Sequence, residues 1–419
     1  MLIIQLNMPI KTNISQREVK GKRYFYLDTN FKDATGKWKK VSLYIGANPP
    51  DNTKLKRKKR ELENKIKMLE KNAGIINHTK RKNKKLPKIL LLFCGGTIAM
   101  QRDEKDTLVP AKNAKDLLAI APEINNIVDI DYEFITNVDS TNMQPKLWSK
   151  MALKIYESYN DYDGFVITHG TDTMSYTASA LSLALQNLNK PVVLTGSQLP
   201  PDDPATDAHQ NLINSCRIAA MNLRGVLVLF GTRIIQGNRS KKRSEISLDA
   251  FISHLIPDIG KIATIIQIAT NAPKKLQNPK KLKLENNFEN NVLQITLLPG
   301  MNPNFISTII ETGKLKGFIL ESFGAGNVPT KWNSLIPSIK EAKQCKIPVV
   351  VTTQCEGGTS SHMLTYEVGY EAVKAGAIPA RDMTAECAAV KLMWALAQTK
   401  NIKEIKKIMH HNYSGEITS

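Results

Sequence analysis

The stretch that most constrains this chain runs from Phe165 to Ala178, Phe-Val-Ile-Thr-His-Gly-Thr-Asp-Thr-Met-Ser-Tyr-Thr-Ala. Three apolar residues lead into a glycine-containing turn and then into an Ala/Leu-rich segment of helical period. The pattern is that of a buried strand, a tight turn and a helix. Open α/β sheets gather their ligands at the carboxyl ends of such strands. Gly170 lets the backbone turn sharply, so Thr171 and Asp172 present a hydroxyl and a carboxylate side by side at the mouth of the sheet. The same two residues would also serve as N-caps of the following helix, and the local sequence leaves both readings open.

A second turn of this kind lies upstream. Lys88-Ile-Leu-Leu-Leu-Phe-Cys is a continuous apolar run after one lysine, and it ends in Gly95-Gly96-Thr97-Ile98-Ala99-Met100. Two strand ends that each present a threonine can converge on one small substrate if the strands are neighbours in a parallel sheet. The pairing of Gly-Gly-Thr-Ile-Ala with His-Gly-Thr-Asp-Thr-Met resembles the signature of the L-asparaginases. Tyr176-Thr-Ala-Ser-Ala-Leu-Ser is most similar to the bacterial cytoplasmic type I branch, and the resemblance extends from about Lys88 to near the C-terminus. It implies an α/β, two-domain asparaginase-like fold, with a mainly parallel sheet in the larger domain and a smaller α/β C-terminal domain. The expected boundaries are 87–272 for the first, 273–290 for a basic, Asn-rich interdomain linker and 291–419 for the second.

Charge separates the start of the chain from this core. Of the formal net charge of +20, residues 1–88 supply 24 Lys and Arg against 7 Asp and Glu, and the remainder is nearly balanced at 34 against 31. Basicity therefore belongs to an appendage, expected to be a small α+β module at 1–71 followed by a linker at 72–86. Lys22 to Gly46 is rich in aromatic and β-branched residues and predicts two strands joined by a turn around Asp33 to Gly36. Asn52 to Lys71 predicts a helix with a basic start and apolar positions at Leu55, Leu62, Ile66 and Leu69. Basic residues interleaved with Tyr24, Tyr26, Trp38 and Tyr44 suit phosphate contacts and base stacking, so residues 1–85 are a candidate nucleic-acid surface. A solvated helix packed on the enzyme or on a second copy is the competing reading.

The N-terminus lacks the basic region, long apolar core and cleavage site of a secretory signal, and no apolar run approaches a membrane span. Cys94, Cys216, Cys345, Cys355 and Cys387 are odd in number and widely spaced, without a zinc pattern. They read as reduced thiols of a cytoplasmic protein. Cys94 reads as a small buried hydrophobe.

Further site candidates follow along the core. Gln101 to Pro110 is a polar segment placed to act as a lid. In the family this loop carries a tyrosine that closes over the substrate, whereas here Thr107 or Leu108 takes the approximate place. Ser140 or Asn142 could cap the helix that begins near Pro145. The resemblance instead implies that Asp139 and Ser140 grip the charged backbone of an amino-acid substrate, a carboxylate for its ammonium and a hydroxyl for its carboxylate. Ser197 could line the site, and Asp207 reads equally as helix cap or functional group. The basic group Gly237-Asn-Arg-Ser-Lys-Lys-Arg243 aligns Lys242 with the family's lysine, beside Asp172, where it could take part in proton transfer. The Gly-x-Gly-Asn turn from Gly324 to Asn327 implies that Asn327 completes a neighbouring subunit's site, which requires at least a dimer, a homodimer or homotetramer.

The expected chemistry is amide hydrolysis of L-asparagine to L-aspartate and ammonia. Thr97 is the first candidate nucleophile, and Thr171, Asp172 and Lys242 form a relay with Lys242 as base. Backbone N–H groups at the glycine turns would stabilise the oxyanion. The scheme calls for neither metal nor organic cofactor. Two alternatives stand beside it: an ammonia-donating subunit of a tRNA-dependent amidotransferase, and a nucleic-acid-binding protein with an inactive asparaginase fold.

Overall fold

A computed structural model of the chain describes residues 13–19, 22–32, 38–48, 50–51, 55–59, 61–62, 86–102, 108–110 and 121–418. The chain divides into two compact units, Met1–Lys85 and Leu86–Ser419.

In the first unit, Asn13–Val19, Lys22–Lys32 and Trp38–Gly46 form an antiparallel sheet in that order. Leu27, Ile45 and Leu62 are its buried centre, with Phe25, Leu43 and Leu55 packed around them. The helical residues within 55–62 therefore cover one face of the sheet. Sequence periodicity anticipates the second and third strands but not the first. Asn-Ile-Ser-Gln-Arg-Glu-Val has two apolar residues and sits at an exposed edge, where burial imposes no pattern. The expected turn at Asp33 to Gly36, the helix beyond Leu62 and residues 63–85 lie outside the described residues.

The second unit is built on an eight-stranded sheet. Its spatial order is Ile266–Ile268, Gly260–Ile262, Arg233–Gln236, Gly225–Phe230, Pro191–Thr195, Gly164–Thr168, Lys88–Phe93 and Asp129–Phe134. The last five run parallel, and the first three are antiparallel additions. Both faces are covered, so the inner strands are apolar throughout rather than alternating. Ile89, Leu91 and Phe93 point to a core shared with the helix Ala208–Ala219. Leu90 and Leu92 point to the opposite core, under the helices Pro145–Glu157 and Met174–Ala184.

A smaller parallel sheet orders Val292–Thr296, Gly317–Ser322, Val349–Thr353 and Ile378–Pro379. The helix Ala385–Gln398 unites the two lobes. It sends Val390 and Trp394 into the first lobe's core and Cys387, Ala388, Leu392 and Ala395 into the second's. The segment expected to link the lobes is fastened to both. Lys283–Leu284 pairs with Leu185–Gln186, Trp394 Nε1 donates to Glu285 O at 2.7 Å, and Phe288 stands edge-on to Trp148 at 5.4 Å.

The C-terminal tail closes the fold through a fully buried ion pair. Lys391 Nζ meets Glu416 Oε1 at 2.7 Å with both side chains 0% exposed, and the Glu416 carboxylate also accepts from the backbone N–H groups of Tyr413 and Ser414. Removing one partner strands the other charge in a dry interior. Lys391→Met is therefore expected to cost about 3–5 kcal/mol in equilibrium urea unfolding. A loss below about 1 kcal/mol would show that water reaches Glu416.

Candidate active site

The parallel strands occur along the chain in the order Lys88–Phe93, Asp129–Phe134, Gly164–Thr168, Pro191–Thr195, Gly225–Phe230. In space the second lies on one side of the first and the third on the other. That reversal opens a crevice at the carboxyl ends of the first and third strands. These two strands carry the threonine turns, and the register Phe93↔Thr168 makes them end level.

The turns touch through their glycines. Gly96 has φ +87°, and a Cβ built on it would stand 2.4 Å from Gly170 N. A Cβ on Gly170 would in turn stand 2.6 Å from Ser140 Oγ. Three strand ends thus converge with no room for a side chain between them. Thr97 opens a 3-10 turn, Thr97–Ala99, immediately after this contact, and its side chain is half-buried.

Lys242 enters from the short strand Ser240–Lys242, which pairs with Phe251–Ser253. Its Nζ donates to Thr171 Oγ1 at 2.8 Å and to Asp172 Oδ1 at 2.6 Å. Lys242 is 20% exposed and Asp172 53%, so the group faces solvent from one side. Neither Thr171 nor Asp172 caps the helix Met174–Ala184 through its side chain. The turn before Lys242 is set deep in the protein. Arg239 is 1% exposed and donates to Asp382 Oδ2 at 3.0 Å, Asp382 O at 2.7 Å and Gly415 O at 2.9 Å.

The third strand end behaves differently from either capping reading. Asp139, not Ser140 or Asn142, is the capping residue, and it caps a 3-10 turn rather than the helix from Pro145. Its Oδ1 accepts from Thr141 Oγ1 at 2.7 Å and Thr141 N at 2.8 Å, and these bonds hold the carboxyl below the usual carboxylate range. Ser140 is buried against Gly170. Ser197 donates to Leu199 O at 2.7 Å, and Asp207 accepts from Gln198 N and Leu199 N at 3.0 and 3.1 Å. Both therefore stabilise the turn after Pro191–Thr195. The expected lid begins as a hairpin, with Met100–Arg102 paired to Leu108–Pro110; Thr107 lies outside the described residues. Asn327 sits in the second lobe, where the turn from Phe323 closes with Asn327 N donating to Phe323 O at 2.7 Å. Its Oδ1 is buried without a hydrogen-bond partner among the described residues.

A group that sequence reasoning passed over fixes the central turn. His169 is fully buried; Nδ1 lies 2.7 Å from Gly170 O, and Nε2 lies 2.8 Å from Thr177 Oγ1. Trp148 Nε1 donates to the same Thr177 oxygen at 2.9 Å. One assignment satisfies every atom: neutral His169 donates from Nδ1 to the Gly170 carbonyl and accepts the Thr177 hydroxyl proton at Nε2. The signal was available in principle, since a histidine between a buried strand and a glycine turn cannot be solvated. Cys94 is buried and its thiol pushed upward by desolvation. Among the described residues, no three His, Cys, Asp or Glu side chains cluster to hold a metal ion.

Residues 88–274 match the model "Asparaginase, N-terminal", and residues 291–409 match "Glutaminase/Asparaginase C-terminal domain". The L-asparaginase of Thermococcus kodakarensis is 39% identical over 79% of this chain and 99% of its own length. This chain belongs to the asparaginase family. The solved structure of that thermostable L-asparaginase superposes with a TM-score of 0.74, covering 79% of this chain and 99% of that one. L-asparaginase I from Vibrio cholerae gives a TM-score of 0.71 at 33% identity, over 80% of this chain and 100% of that one. Similarity to another member is nearly as high. A glutamyl-tRNA(Gln) amidotransferase subunit from Pyrococcus abyssi is 36% identical over 80% of this chain and 77% of its own length.

Burial pushes the His169 pKa down to about 4 from an ordinary 6.5. The folded state therefore binds this proton more weakly than the unfolded chain. Its contribution to stability is complete above pH 6.5 and is lost as pH falls toward 4. On the order of 3 kcal/mol is expected to disappear across that window in denaturant titrations of the wild type. His169→Gln should flatten the profile there, and an unchanged profile would mean that other groups govern acid sensitivity.

Proposed function

We propose that this protein is an L-asparaginase, hydrolysing L-asparagine to L-aspartate and ammonia. The observation that carries the reading is Lys242 Nζ bound to both Thr171 Oγ1 and Asp172 Oδ1 at the mouth of the switch point. Thr97 Oγ attacks the side-chain amide carbon, the C–N bond breaks, and the nitrogen leaves with a proton as ammonia. Water then cleaves the aspartyl ester and restores the Thr97 hydroxyl. Lys242, held by the Asp172 carboxylate, relays protons through Thr171. Oxyanion stabilisation falls to backbone N–H groups of the glycine turns. Asp139 and Ser140 take the substrate's ammonium and carboxylate.

Asn327 completes the site from a second subunit in this scheme, in keeping with its buried Oδ1, which has no hydrogen-bond partner among the described residues. The assembly is then a homodimer or homotetramer. Among the described residues no helix is long and apolar enough to cross a membrane, and no cysteine is paired. We assign the protein to the cytoplasm.

The relative from Pyrococcus abyssi supports a second reading, ammonia donation within a tRNA-dependent amidotransferase. Ammonia release from L-asparagine and L-glutamine by purified full-length protein separates the two. The proposed asparaginase turns over L-asparagine without a partner. Thr97→Ala, Thr171→Ala and Lys242→Met should each lower kcat by about 10²–10⁴-fold while melting like the wild type. A well-folded wild type that releases no ammonia would refute the first reading and favour the second.

A further inference from the structure

Residues 1–85 precede both family models and carry 23 Lys and Arg against 7 Asp and Glu. The helical residues cover one face of the three-stranded sheet through Leu27, Ile45 and Leu62. The antiparallel register places Arg17, Lys22, Tyr24, Tyr26, Lys40 and Tyr44 on the other face. Asp28, 7% exposed, lies among them and holds two of the cations down: Arg17 Nη2 at 3.3 Å and Lys40 Nζ at 2.7 Å. Charged side chains on the sheet are thereby ordered in advance, which lowers the entropy lost on binding.

We propose that this face docks a B-form DNA duplex, with the sheet lying in the major groove. Charge complementarity selects a polyanion, and three features select the duplex. The Arg17 guanidinium lies over the Tyr26 ring at 4.3 Å, so that ring face is already taken. Tyr44 packs against Tyr24 and Tyr26 at 6.1 and 5.6 Å in tilted pairs. Single-strand binding uses several open aromatic faces on which successive bases stack, whereas here a guanidinium takes one face of Tyr26, and of these three tyrosines Tyr44 alone is exposed. Two adjacent strands of the sheet, about 5 Å apart, make a ribbon that the major groove of B-DNA, about 12 Å across, admits. The deep, narrow major groove of an A-form RNA duplex does not admit it.

Fluorescence anisotropy of the full-length protein tests this, with labelled 20-base-pair DNA, single-stranded DNA and duplex RNA of equal length. The DNA duplex should bind at least tenfold more tightly than the other two. Its affinity should fall with salt at a log–log slope of about −3 or steeper. Lys22→Gln with Lys40→Gln should weaken binding tenfold or more. Lys56→Gln with Lys59→Gln removes equal charge from the helix and should weaken it less than about threefold. Ammonia release depends on the other unit and reports separately on the core. Should the first double variant lose its fold by circular dichroism, Lys22→Gln alone, exposed and outside the Asp28 cluster, should still weaken binding about threefold. Equal weakening by both pairs, preference for single strands or RNA, or no binding in low salt would each overturn the proposal.

Discussion

Backbone contact between two glycine turns sets the geometry of everything around the crevice. Gly96 and Gly170 meet where the strand order reverses, so the Thr97 and Thr171 turns are held level by the sheet and close by the missing side chains. Ser140 is locked against the same point from the third strand end. Van der Waals repulsion rises so steeply that even one methyl group would part the turns. His169 then settles the orientation of the Gly170 peptide from below, using a hydrogen bond shielded from water. The polar residues at the mouth need no strong interaction of their own to stay in place, because close-packed backbone beneath them does that work.

The second lobe and the tail support this arrangement from the other side. The helix Ala385–Gln398 contributes to both cores, so the lobes cannot shift independently without exposing Trp394 or Leu392. Arg239 ties the turn before Lys242 to Asp382 at the entrance to that helix. The Lys242 ammonium is thus placed by residues more than a hundred positions further along the chain.

Much of this was legible in the sequence. Continuous apolar runs at Lys88–Phe93, Gly164–Thr168, Pro191–Thr195 and Gly225–Phe230 announce strands covered on both faces, and the glycines after the first two announce tight turns. Resemblance to the family's Gly-Asn-Arg motif points to Lys242 rather than Lys241, and the structure places Lys242 on Thr171 and Asp172. What was illegible depends on contacts between distant residues. Trp148, Thr177 and His169 have no spacing that betrays their meeting. Asp207 occupies a cap-like position, yet the N–H groups it satisfies belong to Gln198 and Leu199, which only folding brings into reach. The first strand of the basic unit escaped notice because an exposed edge imposes no alternation.

Burial of this tail sets where the protein can loosen without unfolding. Gly415 and Thr418 bind Arg239, and Glu416 fills the pocket of Lys391, so residues 415–418 belong to the support of Lys242. A local opening of this segment would strip Arg239 and Lys391 of these partners while the large sheet stays intact. Loss of the site's geometry would then precede loss of the fold.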